Sequence, residues 1–536
     1  MDFYLYSPVC FEKWDYRSSV EKGIGGSETS HVEMAWRLAA RGHKVITYTD
    51  IPDDCPEDWR GTKWYPLEKA TFKQPGIWVI YRDPTTIDKF PKKDKRKDQT
   101  VWLLMQDWDY PNWTNERIKQ FDSIIAMCER HKKNLLSKYP AAKDHVWLTA
   151  NGIKLDLIEE IEKKKIKRNP KRIIYASSPD RGLKPLLISF KKAREYVPDL
   201  QLHIFYGFNN IDVLIKKNPK SYFVGLKKEI LQLSRQPGVH WHGRITQPQL
   251  YEEWFKSGLW VYQTNFAETS CITCMEAQAM GAIPVFSPVW AQGENIGHGI
   301  AIPGDPEDPL THSKFAAEIV RLSSQHELQE LIRGEMMPWA RAKYNWERRV
   351  DQWEIIASGL NPDREYIAQF NFQLMHAKGK ILNVGCDTDP AKLKELGAAN
   401  VDILKENPNG VKNKVDILAD ARDLPESLHG KFDTVILGDI LEHMNDQDIL
   451  RSLVSAKACL KTGGQIIITC PNDDRKRQLQ RYDQIAKDYT PESSSYHDRN
   501  MPKEDLIKLL KQAKLTPNLY REIDYTFFKG HGIICS

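Results

Sequence analysis

Phe266–Pro284, FAETSCITCMEAQAMGAIP, is the stretch whose reading decides the fold. A buried-strand run, Leu259–Gln263, precedes it, and another, Ile283–Ser287, closes it. Between them a polar turn leads into an apolar stretch of helical spacing, so the segment reads as strand, turn, helix, strand. With the helix starting near Ser270, the backbone N–H groups of Ser270, Cys271 and Ile272 point at a common spot, where the helix dipole also favours an anion. A diphosphate suits that spot. Glu276, one to two turns on, is placed to accept hydrogen bonds from two ribose hydroxyls. Glu268, on the strand-end loop, is placed to face a sugar.

Outward from this segment, short apolar runs alternate with amphipathic stretches, as expected of parallel strands buried by crossover helices. Tyr4–Tyr6 is a strand, Gly23–Ser27 a glycine-rich turn, Glu28–Arg41 a helix and Lys44–Tyr48 a strand: a βαβ opening. Trp78–Tyr81, Val101–Met105, Ser123–Met127 and His145–Ala150 continue the first series. After the basic run Lys163–Arg168, a second series comprises Arg172–Ala176, Leu202–Tyr206, Val239–His242 and the two strands named above. Pro338–Leu360 is expected as one amphipathic helix, ended by Asn361-Pro362. A third series begins at Lys380–Val384. The expected class is therefore α/β with three Rossmann-like domains: 1–165, 166–338, a crossing helix and linker at 339–369, and 370–536.

Composition bounds the function. A chain of 536 residues needs about three cores at roughly 100–200 residues each. No run of about 18 apolar residues and no signal-peptide pattern appears, so a cytoplasmic location is expected. Nine scattered cysteines do not resemble a secreted disulfide framework, and Cys271-x-x-Cys274 lacks the second ligand pair of a zinc site, so no metal is expected. A net charge of +5 does not by itself imply a nucleic-acid partner. The oligomeric state is not legible.

The Glu268-x7-Glu276 pattern resembles the signature of retaining, nucleotide-sugar-dependent glycosyltransferases of GT-B fold, the group 1 family, and the likeness extends over about the first 360 residues. Ser177–Leu183 (SSPDRGL) resembles that family's phosphate-binding turn, with Arg181-Gly182 in place of its basic residue and glycine and Lys184 a second cation nearby. Gly25-Gly26 with Glu28 resembles its first-domain glycine loop, and Asn151-Gly152 its turn before the linker. The resemblance gives catalytic places to Glu268, Arg181 and Asp107. It gives donor-binding places to Gly25, Gly26, Ser177, Arg181, Lys184, Ser270, Cys271, Ile272 and Glu276. It implies a UDP- or GDP-sugar donor, a glycan or lipid-linked acceptor, retention of configuration and no obligatory metal. Where the family often has His before the strand-end Asp, this chain has Gln106-Asp107; Gln cannot titrate, so acceptor handling is expected to differ.

Lys380–Pro390 (KILNVGCDTDP) is a strand running into a tight turn and resembles motif one of class I methyltransferases, a likeness covering about Phe370–Ser536. Leu437–His443 (LGDILEH) resembles their strand-four segment. The likeness implies S-adenosylmethionine as cofactor, bound by Gly385, Asp387, Asp402, Asp420 and Ala421, with His443 as a candidate base. Only Gly385 remains of the usual three glycines, with Asp387 and Asp389 where later ones would sit. Two further readings stand beside the fusion of two enzymes. One is glycosylation of hydroxymethylated bases in DNA, suggested by basic runs such as Lys92–Lys97 and the aromatic run Trp102–Trp113. The other is a non-catalytic scaffold.

Overall fold

The computed structural model describes residues 1–359 apart from 11, 22 and 111, together with 373, 376–385, 397–403, 415–472, 501–524 and 529–536. The chain divides into two compact units, Met1–Pro362 and Asp363–Ser536.

The first unit holds two sheets. In the first, strands β1 (Asp2–Ser7), β2 (Lys44–Thr49), β3 (Asp58–Trp59), β4 (Thr62–Pro66), β5 (Gly76–Tyr81), β6 (Gln99–Leu104), β7 (Ser123–Ala126) and β8 (Val146–Leu148) lie in the order 3-4-2-1-5-6-7-8. All its pairs are parallel except β3–β4. Near-continuous apolar runs such as IWVIY in β5 suit strands covered on both faces. On one face Trp78 stacks on Tyr4 and Tyr48 at 4.7 and 5.8 Å between ring centres. On the other, Met34, Ala35 and Leu38 of the Gly26–Ala40 helix pack with Trp346, Val350 and Trp353. Strands β3 and β4 were not expected. TKWYP carries lysine and proline and reads as a loop, and it is held as strand by parallel pairing with β2.

The second sheet comprises β9 (Asn169–Tyr175), β10 (Gln201–Ile204), β11 (Val239–Trp241), β12 (Ser257–Tyr262), β13 (Ile283–Phe286) and β14 (Ile300–Ala301), ordered 11-10-9-12-13-14 and parallel throughout. The expected single helix over Pro338–Leu360 is corrected. Pro338 lies inside a helix spanning His326–Lys343, and a separate helix spans Trp346–Ala357. The chain breaks between them because Tyr344 gives its carbonyl to the Ile153 N–H at 2.7 Å. The Asn345 side chain then caps the new helix through the Glu347 N–H. That second helix returns to the first sheet, where Arg41 meets Glu347, Asp351 and Glu354 at 2.9, 2.5 and 2.8 Å. A Cβ on Gly152 would meet Trp346 at 2.6 Å, so the Asn-Gly turn needs its glycine for this packing.

The second unit is one sheet of β15 (Ile381–Val384), β16 (Ala399–Asp402), β17 (Ile417–Leu418), β18 (Phe432–Gly438), β19 (Leu460–Asn472), β20 (Pro517–Asp524) and β21 (Lys529–Cys535), ordered 17-16-15-18-19-21-20. It is parallel through β19, and β21 inserts antiparallel to both β19 and β20. The strand order reverses between β15 and β18, and ligands of open α/β sheets sit outside the carboxyl ends of the strands at such a point.

Candidate functional site

In the first unit, the carboxyl ends of both sheets face a shared cleft of about 290 Å³. Arg181, Glu268 and Glu276 line it from one side, and Gly25, Gly26, Glu28, Arg82, Gln106 and Asp107 from the other.

Arg181 sits in the turn after β9, with its N–H on the Ser178 carbonyl at 2.9 Å. Gly182, at φ +100°, lets the turn close against β12: a Cβ there would stand 2.2 Å from the Gln263 carbonyl oxygen. Arg181 Nη1 reaches Glu268 Oε1 at 3.0 Å, and the guanidinium carbon lies 4.2 Å from the centre of the Phe266 ring. Burial opposes its charge, but Glu268, with Tyr262 and Asp180, outweighs burial, and the Arg181 pKa is raised. Glu268 also accepts from the Tyr262 hydroxyl at 2.9 Å. The turn thus holds a permanent cation, oriented by a carboxylate, at the mouth of a strand-end cleft.

The helix carrying Glu276 spans Ile272–Met280 with Cys271 as N-cap, rather than starting near Ser270. Ser270 is otherwise engaged: its hydroxyl accepts from the Asn151 N–H at 2.9 Å, and its carbonyl from the Asn151 amide at 2.8 Å. The free first-turn N–H groups therefore belong to Ile272, Thr273 and Cys274, displaced toward the C-terminus from the expected set. Ser177 joins this turn through its hydroxyl, 3.3 Å from Thr273 Oγ1. Glu276 is buried, and desolvation raises its pKa to about 7 despite Tyr251, Gln247 and Lys154 nearby. Cys271 and Cys274 are both buried and free.

Asp107 is held bidentately by Arg82, at 2.8 and 3.0 Å. The Gln106 amide is buried with neither end partnered, while the Gln106 carbonyl accepts from Thr269 Oγ1 across the cleft at 3.0 Å. Gly25 packs against the Glu28 carboxylate: a Cβ would stand 2.4 Å from it, and that side chain would have to shift. Gly26 faces Ile272 across the cleft, at 3.5 Å from where its Cβ would be. Burial raises the Glu28 pKa. Two further contacts tie the halves together. Arg244 meets Glu12 at 2.9 Å, and the Glu294 carboxylate accepts from the N–H groups of Glu129 and Arg130, both at 2.8 Å.

One expected donor ligand is not brought here. Lys184 does not line the cleft; its ammonium pairs with Glu229 and Glu307 at 3.0 and 3.2 Å. It stands one helical position past the turn, so its side chain projects away from Arg181 toward those two acids. Arg82, Arg244 and Gln247 were missed, although Arg82 directly follows β5 and strand-end position is itself a signal. The aromatic run Trp102–Trp113 is packed rather than displayed. Trp102, Tyr110 and Trp113 are buried, and Trp108 stacks on His131 and meets Trp290 edge-on. Of the basic runs, Arg96 donates to the Gln120 carbonyl, and Arg168 to the carbonyls of Trp254, Ser257 and Met280.

In the second unit, Gly385 ends β15 at φ +78°, where a Cβ would meet Ile440 Cγ2 at 2.1 Å. Asp402 ends β16. Asp420 is engaged by Arg422, whose backbone N–H and guanidinium both donate to it, and Ala421 lies between them. Asp387, like Asp389, lies outside the described residues. His443 is partly exposed, and burial pushes the neighbouring Glu442 carboxyl well above the usual range.

Residues 361–516 match the family model of a methyltransferase domain. No curated protein matches the sequence. Among solved structures the chain is similar to a sucrose-phosphate synthase from Thermosynechococcus elongatus, at 14% identity over 66% of this chain and 98% of that one, with a TM-score of 0.50. A glycosyltransferase from Rickettsia africae is 15% identical over 67% and 98%, with a TM-score of 0.48. The catalytic domain of starch synthase IV from Arabidopsis thaliana, bound to ADP and acarbose, is 12% identical over 67% and 99%, at 0.49. No helix among the described residues is long and apolar enough to cross a membrane.

Proposed function

For a chain that joins a GT-B fold to a methyltransferase domain, we propose that the first unit transfers a glycosyl group from a UDP- or GDP-sugar to a hydroxyl of a glycan or lipid-linked acceptor, with retention. The observation that carries this reading is the convergence of Arg181, Glu268, Glu276 and the Ile272 helix start on one cleft. The diphosphate lies against Arg181 and the N–H groups of Ile272 and Thr273, and the ribose hydroxyls donate to Glu276. As the bond from the sugar's anomeric carbon to the diphosphate breaks, its electron pair passes to the phosphate oxygen, where Arg181 stabilises the charge. The acceptor hydroxyl attacks the same face and its proton passes to the departing phosphate. Asp107, fixed by Arg82, and the Gln106 amide hold the acceptor from the opposite wall.

The second unit, on this reading, methylates the product. S-adenosylmethionine, when bound, supplies an electrophilic methyl group. Gly385 and Asp402, at the carboxyl ends of adjacent strands, fit such a ligand: the glycine lets the turn after β15 close against Ile440 at the point where the strand order reverses, and the carboxylate suits ribose hydroxyls. Asp420 reaches it only by releasing Arg422, and His443 is the candidate base.

The test is sugar transfer followed by mass spectrometry with a panel of nucleotide sugars. Arg181→Gln is expected to lower turnover at least about a hundredfold, as loss of one charge-stabilising donor does. Unchanged turnover would end the proposal.

A further inference from the structure

One surface stretch of the second sheet's domain carries a local excess of positive charge. Residues 209–236 contain six Lys or Arg and two Asp or Glu, a net +4, against +5 for all 536 residues. They form two helices, Asn209–Lys217 and Tyr222–Leu233, between β10 and β11. The first begins at the cleft, which Asn210 lines.

Both acids are already engaged, Asp212 by Lys227 at 2.5 Å and Glu229 by Lys184 at 3.0 Å. Lys216, Lys217, Lys220, Lys228 and Arg235 are exposed, with no carboxylate in ion-pair reach among the described residues. Apolar groups stand among them. Leu226 and Ile230 of the second helix face the core, but Tyr222, Val224 and Leu231 are 68, 43 and 44% exposed. Val224, Lys228 and Leu231 fall on one stripe of that helix, so cation and apolar side chains share a face.

We infer that this helical hairpin docks the first unit on an anionic lipid surface. Lysines attract the headgroup phosphates, and Val224 and Leu231 enter the boundary below them, the combination that peripheral helices use. A solvated lysine-rich face would not require Val224 and Leu231 in the open beside Lys228. A nucleic acid would engage the cations and leave Val224 and Leu231 idle. Docking here would bring the Asn210 end of the cleft close to the lipid plane.

The experiment is co-sedimentation of the full chain with vesicles of phosphatidylcholine alone or of phosphatidylcholine with phosphatidylserine. Partitioning onto the anionic vesicles is expected to exceed that onto neutral ones by roughly tenfold or more and to weaken with salt. A triple variant, Lys216→Glu with Lys217→Glu and Lys220→Glu, should lose that preference. Val224→Ser with Leu231→Ser should lower binding several-fold. Because all five side chains are exposed, neither variant should change the melting temperature by more than a degree or two. Equal binding to both vesicles, or variants that bind like the native chain, would overturn the inference. So would duplex DNA binding that the charge variant abolishes and the apolar variant leaves intact, with no vesicle binding.

Discussion

Two glycines, Gly182 and Gly385, do the same job in different sheets. Each follows the first strand of its sheet, each has positive φ, and each lets the turn close against the residues just after the neighbouring inner strand. What surrounds them differs. Gly182 follows Arg181 and faces a helix start at Ile272, a setting for anions. Gly385 has Asp402 on the next strand and a buried Glu442 beyond β18, a setting for hydroxyl donors or a cation. The shared glycine marks where a ligand sits in an α/β sheet, and the charge beside it decides which ligand.

The largest test of that contrast is electrostatic. Replacing Arg181 by Lys keeps the charge and loses the planar fork, so sugar turnover should fall roughly tenfold, against about a hundredfold or more for Gln. Equal losses would mean that geometry, not charge, is what Arg181 supplies. Gly182→Ala comes next. Its Cβ would overlap a backbone oxygen that cannot move aside, so a loss of about 3 kcal/mol is expected. All 16 tryptophans precede residue 354, so tryptophan fluorescence during denaturant unfolding reports on the first unit.

Glu276 sharpens the contrast through pH. Its pKa rises from 4.5 to about 7 on folding, so the folded protein retains a proton that the unfolded chain has released. The resulting stabilisation is complete below the unfolded value and is lost as pH rises through 7, at most about 3 kcal/mol in all. The fluorescence midpoint should therefore fall between pH 5 and pH 8, and Glu276→Gln should flatten that fall. Gly385→Ala should cost less, about 1–2 kcal/mol, because Ile440 Cγ2 belongs to a side chain that can rotate away. It should be silent in tryptophan fluorescence and visible by circular dichroism. Lys184→Gln is the smallest, within about 0.5 kcal/mol and with sugar turnover nearly intact, because its ion pairs are at the surface.

Much of the α/β plan was legible because buried parallel strands announce themselves as short apolar runs, as IWVIY does. The spacing of Glu268 and Glu276 was equally local: one strand-end loop and one helix contain both. What sequence could not show was decided by partners far along the chain. Ser270 reads as a helix start, but Asn151 claims it, and the helix opens at Ile272. Pro338 reads as a first turn, but Ile153 sets the break at Tyr344. Lys184 directly follows the phosphate-like turn, and the acids that capture it are 45 and 123 positions away.

The central claim is that the first unit's cleft holds a nucleoside diphosphate, and a thermal-shift titration with UDP and GDP, read by tryptophan fluorescence, tests it most directly. At a hundredfold excess over Kd, one of them should stabilise the first unit by about 2.7 kcal/mol, and Glu276→Ala should remove most of that shift. No shift with either nucleotide, or a shift that survives Glu276→Ala undiminished, would contradict it.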